Sequence, residues 1–155
     1  QPAVANMSLG GGVSTAVDTA VKNSIADGVS YAIAAGNSSK DACHQSPARV
    51  STAMPIGATD QADTKASWSN YGSCVDWFAP GVNIASAWYT DDTATNVISG
   101  TSMATPHVAG VAALYLQNYP SATPLKVRDT LYQQTTKYIV KNSKSSKNHL
   151  LFTNY

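Results

Sequence analysis

The chain has 155 residues, 43% of them hydrophobic, enough to bury a sizeable core as one domain or part of one. Charged residues make up only 12%, against roughly a quarter in an average soluble protein; the formal net charge is +1 and the lysines Lys137, Lys141, Lys144 and Lys147 are scattered, so no electrostatic footprint for nucleic acid is present. No stretch approaches the roughly 18 uninterrupted apolar residues of a membrane-spanning helix, which excludes that class of partner as well.

The chain opens on Gln1, not Met, with neither a charged leader nor an apolar signal core, and is expected to be a processed, cropped or incomplete product. Ala3 to Leu9 reads as a short buried strand ending at Gly10-Gly11-Gly12; neither the spacing nor the lysine of a phosphate-binding loop accompanies these glycines. Thr15-Ala16-Val17-Asp18 looks like a capping box, opening a helix whose apolar positions Ala16, Val17, Ala20, Val21 and Ile25 share a face and which Gly28 stops. Val29 to Ala35 is then a continuous apolar run of strand length. Strand, helix, strand in this order implies parallel strands with a right-handed crossover, hence an α/β fold with a parallel sheet flanked by helices.

Asn37 follows that second strand at its carboxyl end, the edge where open α/β sheets place their ligands. Its side-chain amide offers two donors, although Gly36-Asn37 read alone is also a common turn signal. Cys43 and Cys74 are the only cysteines, an even count compatible with one disulfide or with two buried thiols. Further strands are expected over Met54 to Ala58 and Cys74 to Phe78, with turns at Ser69-Asn70-Tyr71-Gly72 and Ala79-Pro80-Gly81. Ile84 to Tyr89 and Asn96 to Ser99 flank the polar segment Thr90 to Thr95 as a hairpin.

The hairpin leads into Gly100-Thr101-Ser102-Met103-Ala104-Thr105-Pro106-His107 and the apolar stretch Val108 to Leu116. Proline lacks an amide hydrogen and collides with the carbonyl four residues back, so Pro106 places the helix start near Ser102 or Met103. Ser102 therefore sits at a helix mouth, where unpaired amides and the positive end of the helix dipole stabilise a developing oxyanion. Pro120 to Pro124 breaks that helix, Leu125 to Leu131 reads as another amphipathic one, and the tail from Lys137 is expected to be a peripheral strand or loop.

The octapeptide resembles that of the subtilisin-like serine proteases, the subtilases, and within them the proteinase K branch; the likeness runs from about Val4 to Leu131. It implies a three-layer α/β/α domain of which residues 1–155 are the C-terminal part, and a secreted serine endopeptidase. Ser102 is then the nucleophile, with the Asn37 amide and the backbone amide of Ser102 as the oxyanion donors. Ser8, Leu9 and Gly10 form an edge to which an extended substrate adds as a strand, while Ala34, Ala35 and Gly36 line the other wall of a pocket for large hydrophobic or aromatic side chains. The likeness further implies that Cys43 pairs with Cys74, that Asp76 holds a structural Ca²⁺ with the backbone carbonyls of Ser51 and Ala53, and that a propeptide acts as an inhibitory partner beside the peptide and protein substrates.

One part of the family pattern is missing. A serine nucleophile needs a general base and a carboxylate to orient it, and in subtilases these precede the serine in the order Asp, His, Ser. His44 adjoins the cysteine loop, His149 lies in the tail, and His107 points away from Ser102 by about 140° of helical turn. No lysine adjoins either motif to substitute. The Asp and His are therefore expected from an N-terminal part of the same domain; the competing reading is an inactive remnant that binds peptides.

Overall fold

The computed structural model describes residues 2–153. Strand β1 (Ala3–Met7) is followed by helix α1 (Thr15–Ala26) and strand β2 (Val29–Ala34), which pairs in parallel with β1 from Ala3 opposite Val29 to Met7 opposite Ile33. Strands β3 (Met54–Thr59) and β4 (Trp77–Pro80) extend the sheet, again in parallel, with Ala32 opposite Met54 and Ile56 opposite Trp77. Strands β5 (Ile84–Ala87) and β6 (Thr95–Ile98) form the expected antiparallel hairpin. Helices α2 (Thr101–Asn118) and α3 (Pro124–Gln134) follow, then the two-residue strands β7 (Thr136–Lys137) and β8 (His149–Leu150). Sheet order is β1-β2-β3-β4-β8-β7, with β7 antiparallel to β8.

Strand alternation sorts the apolar side chains into two cores, one on each face of the sheet. Ala32, Ile56, Trp77 and Ala79 pack on one face against Ala104, Val108, Ala112, Tyr115 and Leu116 of α2 and Val127 and Leu131 of α3. Ile33, Ala35, Val50, Val75 and Phe78 pack on the other against Val21 and Ile25 of α1. The result is the three-layer α/β/α arrangement. Among the described residues, no helix is long and apolar enough to cross a membrane.

Three sequence expectations shift. The N-cap of α1 is Ser14, whose Oγ accepts from the Val17 amide at 3.4 Å, and Asp18 turns away to take Arg49 Nε at 2.6 Å. An aspartate at that point gains more from a guanidinium within reach than from the amide of a neighbouring turn. Strand β4 starts at Trp77, three residues later than expected, and absorbs the anticipated Ala79-Pro80 turn; Pro80 is tolerated as the last strand residue, where Gly81 takes over and donates to Thr59 O at 3.0 Å. The tail is only partly peripheral: β7 is the edge strand, but β8 lies between β4 and β7 within the sheet.

Cys43 and Cys74 form a disulfide, with Cα atoms 5.3 Å apart and a sequence separation of 31. Loop-closure reasoning assigns a link of this span a stabilisation of about 3 to 4 kcal/mol.

Candidate active site

The start of α2 is fixed by backbone contact with the end of β4. Gly100 N–H donates to Gly81 O at 2.8 Å, and a Cβ on Gly81 would lie 2.6 Å from Ala58 Cβ and 2.8 Å from Gly100 O. Only glycine permits that approach. Helix α2 therefore begins at Thr101, with Gly100 as a cap that supplies no side chain, and Ser102 is half-buried in its first turn.

Pro106 lies inside the helix, slightly further from its start than the sequence suggests. Its missing amide would have bonded the carbonyl of Ser102. That carbonyl instead accepts from Ser8 Oγ at 2.8 Å, while Ser102 Oγ donates to the Ser8 carbonyl at 3.1 Å. The proline thus frees one acceptor, and a reciprocal pair with the end of β1 uses it. The Ser102 amide has no acceptor among the described residues.

Asn37 reaches the same place from the end of β2. Its Oδ1 accepts from Thr101 N at 2.9 Å and from Thr101 Oγ1 at 2.8 Å, and Thr101 Oγ1 accepts in turn from Gly36 N at 3.1 Å. Backbone amides only donate, so the atom facing them is the carboxamide oxygen, and Nδ2 is left as the free end. A cavity of about 270 Å³ brings the two motifs together, lined on one side by Leu9 and Gly10 and on the other by Ala34, Gly36 and Asn37, with Ser102 between. Of the residues expected at this cleft, Ala35 is instead fully buried in the core behind it, and Ser8 contributes hydrogen bonds to Ser102 without lining the cavity.

Three residues escaped the sequence reading. Thr101 clamps Asn37. Asn70, fully buried, donates to Ala35 O at 2.8 Å and accepts from Ser38 N and Lys40 N at 3.0 Å each, holding the loop that carries Asn37. Gln45 completes the cavity wall. Gly36, at φ +102°, lies so close to these amides that a Cβ there would sit 2.3 Å from Gln45 Oε1 and 2.4 Å from Asn70 Nδ2. Thr101 stood inside the octapeptide, but nothing local marked Asn70 or Gln45.

No imidazole or carboxylate lines this cavity. His107 bonds Met103 O through Nδ1 at 2.8 Å and lines a different hollow beside the hairpin. His149 is buried, with Nδ1 3.0 Å from Thr135 Oγ1, and burial followed by the nearby Lys137 and Lys147 charges holds its pKa below the ordinary histidine value. His44 is exposed beside the disulfide.

The anticipated metal position fits calcium poorly. Asp76 is 1% exposed, and both its oxygens are taken: Oδ2 by Arg128 Nε at 2.7 Å, Oδ1 by Arg128 Nη2 at 2.9 Å and by the Lys147 ammonium. Ser51 shares a small cavity with Asp76, but so do Arg49, Arg128 and Lys147, whereas Ala53 is buried outside it. A dication would meet cations there, around a carboxylate already neutralised. Among the described residues, no group of three His, Cys, Asp or Glu forms a metal-sized cluster.

Residues 1–152 match the Subtilase family. The chain is 61% identical to an extracellular serine proteinase of Thermus sp. (strain Rt41A) over 154 residues, covering 99% of this chain and 38% of that protein. It is 53% identical to alkaline serine exoprotease A of Vibrio alginolyticus over 152 residues, covering 98% of this chain and 28% of that one. The crystal structure of a cold adapted subtilisin-like serine proteinase superposes with a TM-score of 0.96 at 53% identity, over 99% of this chain and 56% of that chain. The chain thus spans well under half the length of these curated relatives.

Proposed function

Because the chain belongs to the subtilase family, we propose that it is the nucleophile-bearing part of a secreted serine endopeptidase. Ser102 Oγ attacks the carbonyl carbon of a peptide bond, and its proton passes to the imidazole of a histidine supplied, with its orienting aspartate, by the N-terminal part of the same domain. The electron pair displaced onto the carbonyl oxygen stays there as an oxyanion, which accepts hydrogen bonds from Asn37 Nδ2 and the Ser102 amide. When the tetrahedral adduct collapses, the C–N bond breaks, the imidazole returns the proton to the leaving amine, and Ser102 carries an ester. Water, deprotonated by the same base, hydrolyses that ester and restores the serine.

The observation that carries this reading is the pinning of the Asn37 oxygen by Thr101, which leaves the nitrogen end free in the cavity that holds Ser102. Preorganised donors of this kind supply about 3 to 4 kcal/mol each to the acyl-transfer transition state. The Leu9–Gly10 segment, which lines the cavity just past the end of β1, suits a peptide backbone, and the disulfide suits an oxidising, extracellular setting.

Labelling with a fluorophosphonate probe and mapping the adduct tests the reading. The chain combined with an N-terminal segment carrying the Asp and His is expected to be labelled at Ser102, and the chain alone to be inert. Labelling of the chain alone overturns the need for the second segment; no labelling in either case replaces the enzyme with an inactive peptide-binding module.

A further inference from the structure

We propose that Gln45 is a specificity-determining residue of the Ser102 cavity, donating through its side-chain amide to a carbonyl acceptor at the end of the substrate side chain that precedes the cleaved bond. The proposal rests on the peptidase reading for the cavity's role, but its argument comes from hydrogen-bond bookkeeping. Asn70 Oδ1 faces two backbone amides, Ser38 N and Lys40 N, each at 3.0 Å, and backbone amides only donate; that end of the carboxamide is oxygen. Asn70 Nδ2 therefore points the other way, donating to Ala35 O at 2.8 Å and to Gln45 at 2.9 Å. The Gln45 atom that receives this bond is Oε1.

That assignment leaves the Gln45 Nε2 hydrogens without a partner among the described residues, on a half-buried side chain that lines the cavity. The backbone of Gln45 is itself fixed, its amide bonded to Ala42 O at 3.1 Å and its carbonyl to Arg49 N at 2.9 Å. Two carboxamides, Asn37 and Gln45, thus have their oxygens consumed inside the protein and their nitrogens left over, on side chains that line one cavity whose lining holds no charged side chain. Asn37 serves the reacting carbonyl, and Gln45 remains for the substrate side chain. A glutamine-type side chain satisfies Nε2, whereas a hydrocarbon of the same length strips water from those donors and returns nothing. The flat hydrophobic slot that the family likeness implies therefore has one polar wall in this chain.

Product-type peptides test this without requiring catalysis. The chain completed by its N-terminal segment is titrated with Gly-Ala-Ala-Gln and with Gly-Ala-Ala-norleucine, following the side-chain amide resonances by NMR. A preference of about three- to tenfold for the glutamine peptide is expected, with the Gln45 Nε2 resonances shifting for that peptide only. Gln45→Met is expected to abolish the preference while leaving norleucine affinity in place. Gln45→Glu keeps the acceptor for Asn70 and removes the donors, so it should abolish the preference too, and it serves if the methionine variant does not fold. Equal affinities in the unaltered chain, a preference that survives either variant, an unmoved Gln45 amide, or no binding of either peptide overturns the proposal. Fluorophosphonate labelling of Ser102 separates the two ideas: labelling without the preference removes only the role of Gln45, and the preference without labelling removes only the peptidase.

Discussion

Thr101 does more for the site than its position beside the serine suggests. Its hydroxyl gives a proton to Asn37 Oδ1 and takes one from Gly36 N, so a single side chain sets both the roll of the carboxamide and the path of the loop bearing it. Thr101→Val keeps the shape and removes both bonds, while the Thr101 amide still holds Asn37 Oδ1 at 2.9 Å. We expect roughly a tenfold fall in kcat with little change in KM, since the misaligned donor matters where negative charge develops and less in the bound ground state. Steady-state hydrolysis of a peptide ester and a peptide amide checks this. The residues to which the proposal gives the chemistry were legible because each carries a local mark: Ser102 stands four places before a proline, and Asn37 follows an apolar strand at its carboxyl end. Thr101, Asn70 and Gln45 act through partners 25 to 65 positions away in sequence, and no periodicity records such contacts.

Elements differed in legibility for the same reason. Helix α2 was readable because one proline bounds where it begins, and β2 because an apolar run of strand length has few other fates in an α/β chain. Strand β8 was not, since two residues carry no alternation and its place between β4 and β7 is set by the sheet. That strand brings a titratable group into the core. His149 lies among Tyr132, Tyr138 and Thr135, and its folded pKa is held below the ordinary 6.5 by burial first and then by Lys137 and Lys147. The folded state therefore binds the proton less readily than the unfolded chain. Its contribution is complete above about pH 6.5 and is lost as pH falls toward the lowered folded value. Thermal unfolding followed from pH 8 to pH 5 should show a decline in Tm through this window, and His149→Phe should flatten it; an unchanged slope in the variant would remove His149 as the cause.

At the scale of the whole chain, the sheet ends on one side in the two-residue strand β7 and on the other in the five-residue β1, which pairs only with β2 among the described residues. A groove of about 350 Å³, lined by Pro2, Ala3, Val4, Ala113, Leu116 and Gln117, runs along this edge. An unpaired parallel edge beside apolar side chains is where the proposed N-terminal part of the domain would add. The Cys43–Cys74 bridge and the two cations on Asp76 add covalent and ionic links to the two cores. Reduction of the disulfide is expected to lower Tm by roughly 10 °C, from about 3 to 4 kcal/mol in a chain of this size. Calcium or a chelator should move Tm by less than about 1 °C, because Arg128 and Lys147 already neutralise Asp76; a calcium-dependent rise in Tm would show that the metal displaces them.

The proposed catalysis depends on the Asn37 carboxamide stabilising charge beside Ser102, and the kinetics of Asn37→Ala in the chain completed by its N-terminal segment test that most directly. Loss of one preorganised oxyanion donor predicts a kcat lower by about 10²- to 10³-fold with KM changed by no more than about twofold. A variant whose kcat is unaltered, or whose loss falls on KM alone, contradicts it.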